Sequence, residues 1–370
     1  MTHLLAVVLA TQVIAIRAGR VLDPETASAS LNQIILVQGG RIGAIGPNVA
    51  IPTGATVYDL SSATIIPGMI DAHVHLAIGG PVRANALADL QAGFTTVIDL
   101  GSRTTRLLRI RDSINAGEIP GPRVYATGIW VGRKDGVCEF GGIGIPGGAE
   151  GFRARVRENV AAGADFIKVC VTGWPADAYA HPDDYELPDS TLKAVVDAAH
   201  GEGRRVIAHD ISRGGVKAGL AAGIDGLAHT AYLDSATALL LRTRSVFMIP
   251  TLASLTAGTP GAPGQALIAS VGLAQRTGVR LVFGTDGGVL PHGQNATEFV
   301  AMYQAGIPLA ELLRTATINA ARAFGLDSLG QIGQGMVADL VALSADPRED
   351  VTAYQKVRFV MSRGRVIVNP

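Results

Sequence analysis

The stretch Ile65-Ile66-Pro67-Gly68-Met69-Ile70-Asp71-Ala72-His73-Val74-His75-Leu76 decides how the chain is read. As a strand, its period of two sends His73 and His75 to one face. Two imidazoles side by side on one strand can grip one metal ion. Such a pair alone would also suit an ordinary surface strand. Its position says more, because it follows directly on an apolar run that ends in Pro67-Gly68. The question is then whether the rest of the chain supplies further ligands.

Downstream of this stretch the pattern is strand, loop, helix, repeated. Eight strand candidates stand at 69–76, 95–100, 123–129, 166–172, 205–209, 226–229, 246–251 and 280–284. Helical stretches with apolar spacing near 3.6 separate most of them, for example 82–92, 152–162, 190–201 and 212–222. Several end at an Ala-Gly before the next strand (Ala92-Gly93, Ala162-Gly163, Ala222-Gly223), a helix C-terminal stop. Eight β/α units are the count a TIM barrel needs. A doubly wound open sheet is the competing fold, but it would more often show a Gly-rich dinucleotide turn where this chain has His-x-His.

Upstream, residues 12–16, 33–37, 41–45, 56–60 and 64–66 read as short strands, with Gly39-Gly40 as a hairpin turn. The same texture returns after Phe324, at 338–343, 357–360 and 366–368. The expected fold is α/β: a (β/α)8 barrel over residues 67–325, with a small β-sandwich domain built from both chain ends, 1–66 and 326–370.

Composition agrees with a large buried core. Of 370 residues 48% are hydrophobic and 46 are Gly, which suits tight turns rather than disorder. Charges balance at 31 basic against 31 acidic residues, so there is no basic footprint for nucleic acid and no polybasic face for a membrane. The two cysteines, Cys138 and Cys170, make neither a disulfide framework nor a Cys-type zinc site, and Cys170 is read as filling the barrel. Residues 4–10 form an apolar run far too short to span a bilayer. With no Lys or Arg before it, the run reads as a loose terminus or first strand, and the expected location is cytoplasmic. A signal remnant, with secretion or a periplasmic location, is the alternative.

Catalytic groups of such barrels sit at the C-terminal ends of the strands. There the chain places His73 and His75 on strand one, Lys168 on strand four, His209 on strand five, His229 on strand six and Asp286 after strand eight. Four of the eight histidines thus stand at these places. Lys168 is one of only five lysines and interrupts an apolar run. Each residue alone has a plain structural reading: a hydrogen-bonded buried histidine, or an aspartate capping a helix or turn. Ionisable groups are seldom buried unpaired, so their coincidence at one rim calls for a shared purpose.

With these residues in hand, the chain resembles the amidohydrolase superfamily, in the branch of imidazolonepropionase and the metal-dependent Xaa-Pro or Xaa-Arg dipeptidases. The resemblance rests on Pro67–His75, Gly93-Phe94-Thr95-Thr96-Val97 with Asp99, Gly163–Val169, Gly284-Thr285-Asp286, Pro291-His292-Gly293, Ala316-Thr317 with Asn319-Ala320-Ala321, and Gly335–Val341. It implies that His73, His75 and Asp286 hold the more buried of two divalent metal ions and that His209 and His229 hold the second. It also implies that Lys168 is carboxylated by carbon dioxide and bridges them. An unmodified ammonium beside two cations would be repelled, whereas a carbamate offers two anionic oxygens. Imidazole with carboxylate ligands favours Zn²⁺, with Mn²⁺, Co²⁺ or Fe²⁺ as alternatives. Hydroxide between the ions would attack a carbonyl polarised by the second ion, and Asp286 would carry the proton to the leaving amine.

The chain departs from that branch in one loop. The glycine-rich segment Cys138–Gly148 lacks the histidine commonly found there, which bears on carbonyl polarisation and substrate choice. Imidazolonepropionase itself uses one metal and lacks the strand-four lysine, so Lys168 argues against that reaction. His292 and Tyr232 are the candidate substrate contacts. The expected function is a binuclear hydrolase of a dipeptide or N-acyl amino acid. A cyclic amide, lactone, carbamate or N-acyl toxin is the alternative substrate, and a non-catalytic scaffold the alternative role. The expected partner is a small amide or peptide, with no nucleic acid and no membrane, and the expected assembly is a homo-oligomer.

Overall fold

The computed structural model describes residues 12–256 and 262–370. The apolar run at 4–10 lies outside the described residues. Strands β1 (Ile14–Leu22), β2 (Ala29–Gln38), β3 (Arg41–Gly46) and β4 (Thr56–Pro67) come from the first part of the chain. At its other end lie β12 (Leu340–Leu343), β13 (Val357–Ser362) and β14 (Arg365–Val368). All seven belong to a single sheet of order β14-β13-β12-β4-β1-β2-β3, in which β4 pairs parallel with β1 and antiparallel with β12. The strands expected from the two chain ends are therefore joined in one continuous sheet. It curls so that the β2–β3 turn reaches residues near its other half: Gly40 O accepts from Ala338 N, and Ile42 N donates to Met336 O. Alternating apolar residues such as Ile16, Ile35, Leu60, Ile65, Leu340 and Phe359 share one buried cluster within it. A curl lets one sheet enclose a core that would otherwise need a second layer.

β4 runs through Pro67-Gly68 straight into β5 (Met69–Val74). β5 begins a parallel three-stranded sheet with β6 (Phe94–Asp99) and β7 (Arg123–Ala126). A parallel four-stranded sheet follows, β8 (Ile167–Cys170), β9 (Val206–His209), β10 (Gly226–Ala228) and β11 (Phe247–Ile249). Helices connect the strands, which makes the architecture mixed α/β. Three of these helices end at Gly93, Gly163 and Gly223, with φ of +94°, +90° and +95°, the left-handed stop that the Ala-Gly pairs foretell.

The two parallel sheets meet at both sides. Val131 N donates to Lys168 O and Cys170 N to Val131 O, which joins the segment after β7 to β8. On the other side Met248 N donates to Arg280 O and Val282 N to Met248 O, while Ala72 N donates to Phe283 O. The eighth candidate, 280–284, makes these bridges but no regular ladder. Ile70, Ala72, Ile98, Phe166, Ile207, Phe247 and Val282 form a core drawn from both sheets, closed by Phe324 and Leu326.

One cysteine reading is corrected. Cys138 and Cys170 are joined by a disulfide that spans 32 residues of chain, with Cα atoms 6.3 Å apart. The glycine-rich loop folds back against β8, and the lack of a side chain at Gly132 lets it lie close to both cysteine Cβ atoms. Cys170 does lie in a buried cluster, but as one half of a covalent bond.

Candidate metal centre

His73, in β5, and His75, just past its end, are brought together with Lys168 of β8, His209 at the end of β9 and His229 just past β10. The four imidazoles form a chain: ring centroids are 5.2 Å apart for His73 and His75, 4.8 Å for His73 and His229, and 4.7 Å for His209 and His229. Asp286 reaches in from the segment that lies beside β5, and its Oδ1 is 3.4 Å from His73 Nε2 and 3.2 Å from His75 Nε2. Among the described residues, His73, His75 and Asp286 form a group that could hold a cation.

Hydrogen bonds behind the rings fix their orientation. His75 Nδ1 donates to Gly101 O at 3.0 Å, which leaves Nε2 as its free ligand atom. His229 Nδ1 shares a 2.7 Å hydrogen bond with Thr251 Oγ1. Neither nitrogen of His73 has a partner, and Lys168 Nζ, also buried, has none. Orphaned buried donors of this kind are costly unless something else occupies the space between them. Backbone strain is concentrated here as well: His229 and Asp286 hold φ of +73° and +60°, a region that costs side-chain-bearing residues of order 1 kcal/mol or more.

The electrostatics suit a cation. Burial and the neighbouring Lys168 amine pull His209 down to about 4, and burial and nearby basic groups hold His73 and His229 well below the ordinary imidazole range. All three rings are therefore neutral, the form that ligates metal. Burial pulls Lys168 down to about 7, although the Asp286 charge opposes it, so much of the amine is unprotonated at neutral pH. Burial alone would raise Asp286, but the His75 ring beside it and the basic groups around it outweigh that, and its pKa is lowered.

The remaining sequence candidates occupy other places. His292 donates from Nδ1 to Asp89 Oδ2 at 2.9 Å and from Nε2 to His75 O at 3.3 Å, so it braces the strand that carries the histidines. Its burial is outweighed by the bond to Asp89, and its pKa is raised. Tyr232 donates its hydroxyl to Tyr179 O at 3.2 Å and is partly buried.

Sequence reasoning overlooked a supporting layer. Asp71 accepts from Thr285 Oγ1 at 2.7 Å, from Asn295 Nδ2 at 2.8 Å and from the backbone of His73 and Thr285, which ties β5 to the segment carrying Asp286. Asp99 accepts from Leu76 N and Gly101 N and so shapes the carbonyl that receives His75. Gly284 must be glycine, because a Cβ there would stand 2.4 Å from Ile249 and 3.0 Å from His73. The available signal was proximity in sequence, since Asp71 and Thr285 each lie within two residues of a candidate ligand.

The amidohydrolase family profile matches residues 64–367. The chain belongs to the amidohydrolase family. It is 26% identical over 369 residues to ochratoxinase of Aspergillus niger, covering 83% of this chain and 76% of that protein. It is 24% identical over 360 residues to imidazolonepropionase of Deinococcus radiodurans, covering 86% of each. The solved structure of a Xaa-Pro dipeptidase with bound methionine in the active site is similar at a TM-score of 0.89 and 26% identity, over 96% of this chain and 99% of that one. The chain is accordingly a hydrolase of carbon–nitrogen bonds. No described helix is long and apolar enough to cross a membrane.

Proposed function

We propose that this amidohydrolase uses two divalent cations, most simply Zn²⁺, to cleave the amide bond of a dipeptide or N-acyl amino acid. The observation that carries the reading is the convergence of four imidazoles, one carboxylate and one buried amine at a single end of the parallel strands. His73, His75 and Asp286 would hold one ion, and His209 and His229 the other. Lys168, as its carbamate, would stand between them. The fit is supported by the orphaned nitrogens of His73 and Lys168 and by the neutrality of the rings. An unprotonated amine is the form that combines with carbon dioxide, and burial favours that form of Lys168.

The overall architecture in this reading is a (β/α)8 barrel in which residues 280–283 serve as the eighth strand. The hydrogen bonds from Met248 to that segment and from Ala72 to Phe283 support closure.

Such ions, when bound, supply a polarised carbonyl and an acidified water at neutral pH. The chain's own groups do the rest. Asp286, ionised and pointing at the centre, accepts a proton from the attacking water and returns it to the departing nitrogen. Asp71, with Thr285 and Asn295, holds the Asp286 segment in register with β5. His292 and Asp89 keep the backbone of His75 in place.

The test is metal analysis together with a screen of N-acyl amino acids and dipeptides on metal-reconstituted protein. About two ions per chain with turnover that chelator abolishes is the expected result. A stable chain that takes up no ion and hydrolyses no amide would refute the proposal.

A further inference from the structure

A cavity of about 380 Å³ lies at the N-terminal ends of β9, β10 and β11, away from the candidate metal centre. Arg205 stands immediately before β9, Asp225 before β10, Val246 before β11 and Arg280 before the segment that leads to Asp286, and all four line it. The same strands carry His209 and His229 at or just past their other ends. At about 3.3 Å per residue, Arg205 and His209 are separated by about 13 Å along β9, so the cavity is no part of that centre.

Four arginines, Arg205, Arg244, Arg280 and Arg322, line this cavity, against one acidic residue, Asp225. Asp225 is already engaged, because its Oδ2 accepts from His200 Nε2 at 2.9 Å and from Val206 N at 2.8 Å. Glu25 is divided between Arg322, at 2.6 Å, and Arg314, at 2.7 Å. Arg205 donates to Ala323 O and Arg244 to Leu220 O, bonds that orient these guanidiniums without neutralising them. Arg280 differs from the others: among the described residues its guanidinium has neither an ion pair nor a hydrogen-bond partner, and it is partly buried. Burial and the charges of Arg322, Arg205 and Arg314 lower its pKa. A cation held among cations, beside the buried side chains of Ile224 and Phe247, is unfavourable until an anion joins it.

The chain as a whole is neutral, so this excess of positive charge is local. Each guanidinium offers a planar fork of donors that matches an oxyanion. A cavity of this volume admits a small molecule rather than a polymer chain. We propose that the N-terminal ends of β9, β10 and β11, with Arg280, form a second ligand site, which takes a compact multivalent oxyanion: a phosphate or a dicarboxylate. Arg280, the least exposed of the four arginines, meets the anion at the base of the site, and Arg205, Arg244 and Arg322 surround it from the rim. Binding relieves the repulsion among the guanidiniums and so stabilises the fold. It needs neither the metal ions nor an amide substrate.

Thermal melting of the metal-loaded protein tests it, in inorganic phosphate and separately in succinate, each against sodium chloride at matched ionic strength. A ligand of the folded state raises Tm by mass action. The expected result is a saturable rise with at least one of the two anions that chloride does not reproduce. Which anion gives it tells a phosphate ligand from a carboxylate one. Arg280→Gln should raise the half-saturating concentration about tenfold or more, as the loss of a charge-assisted hydrogen bond implies. Arg280→Lys, which keeps the charge without the fork, should retain part of the response. Arg244→Gln, at the rim, gives the same comparison if Arg280→Gln does not fold. A Tm indifferent to both anions would overturn the proposal. So would a response left unchanged by the arginine substitutions, because the anion would then bind elsewhere, the metal centre included.

Discussion

Replacing Cys138 with alanine removes the only covalent link across the glycine-rich loop, and the structure allows the cost to be worked out. The bond closes a loop of 32 residues, and the chain-entropy relation assigns such a closure about 4 kcal/mol of constraint on the unfolded state. For a chain of 370 residues the unfolding entropy converts that figure into a fall of about 5 °C in Tm. Differential scanning calorimetry at fixed metal content measures it. Wild-type protein treated with dithiothreitol, with two free thiols confirmed by titration, should fall by the same amount, and a Cys138→Ala/Cys170→Ala protein should ignore the reductant. The loop also carries Phe140, which packs on Trp130 and Trp174. Its release should therefore raise KM more than it lowers kcat. If the reduced wild-type protein melted at the oxidised temperature, the bond would not constrain the chain and the reasoning would fail.

Three further perturbations address the centre. Asp286→Asn should keep much of the metal yet lose about 10²- to 10⁴-fold in kcat, and near-complete activity would exclude Asp286 as the proton carrier. Lys168→Met should lower the bound metal from two ions per chain towards one. The same change removes a buried amine with no partner, so the metal-free variant should be about 1–3 kcal/mol more stable than metal-free wild type in urea titrations. A metal-free variant less stable than wild type would contradict that account. His209 and Lys168 should each make metal-free protein more stable as pH rises, in two windows and against the opposite trend of the buried carboxylates Asp71, Asp99 and Glu298. His209 takes its proton at about 4 when folded and near 6.5 when unfolded, so unfolding binds a proton between those values and stability falls as pH drops through them, by about 3 kcal/mol in all. Lys168 acts in the same direction between about 7 and 10.5. The difference in urea midpoint between wild type and His209→Asn or Lys168→Met, across a pH series in chelator, would be flat if these groups were solvated.

Much of the candidate centre was legible in the chain because its candidate ligands obey local rules. Period-two alternation placed the His73–His75 pair, and an apolar run interrupted by Lys168 marked a charge with no business in a core unless it had partners. Helix stops at Gly93, Gly163 and Gly223 fell where a left-handed residue is cheap only for glycine. That strands from both chain ends share one unit was legible, but how far their seven-stranded sheet curls was not, since strand texture records only which residues alternate.

Other features depend on contacts between residues far apart in the chain. Nothing near Cys138 announces Cys170, and nothing near Asp89 announces His292, more than 200 positions away. The brace from Asp71 to Thr285 and Asn295 and the aromatic row of Trp130, Phe140 and Trp174 exist only once loops from different strands share a rim. Sequence by itself determined the candidate donor atoms, because ligand chemistry resides in residue type and strand period. Tertiary structure alone decided which of them meet, what holds them and what lies alongside, because those are distances through space, and local periodicity carries no information about them.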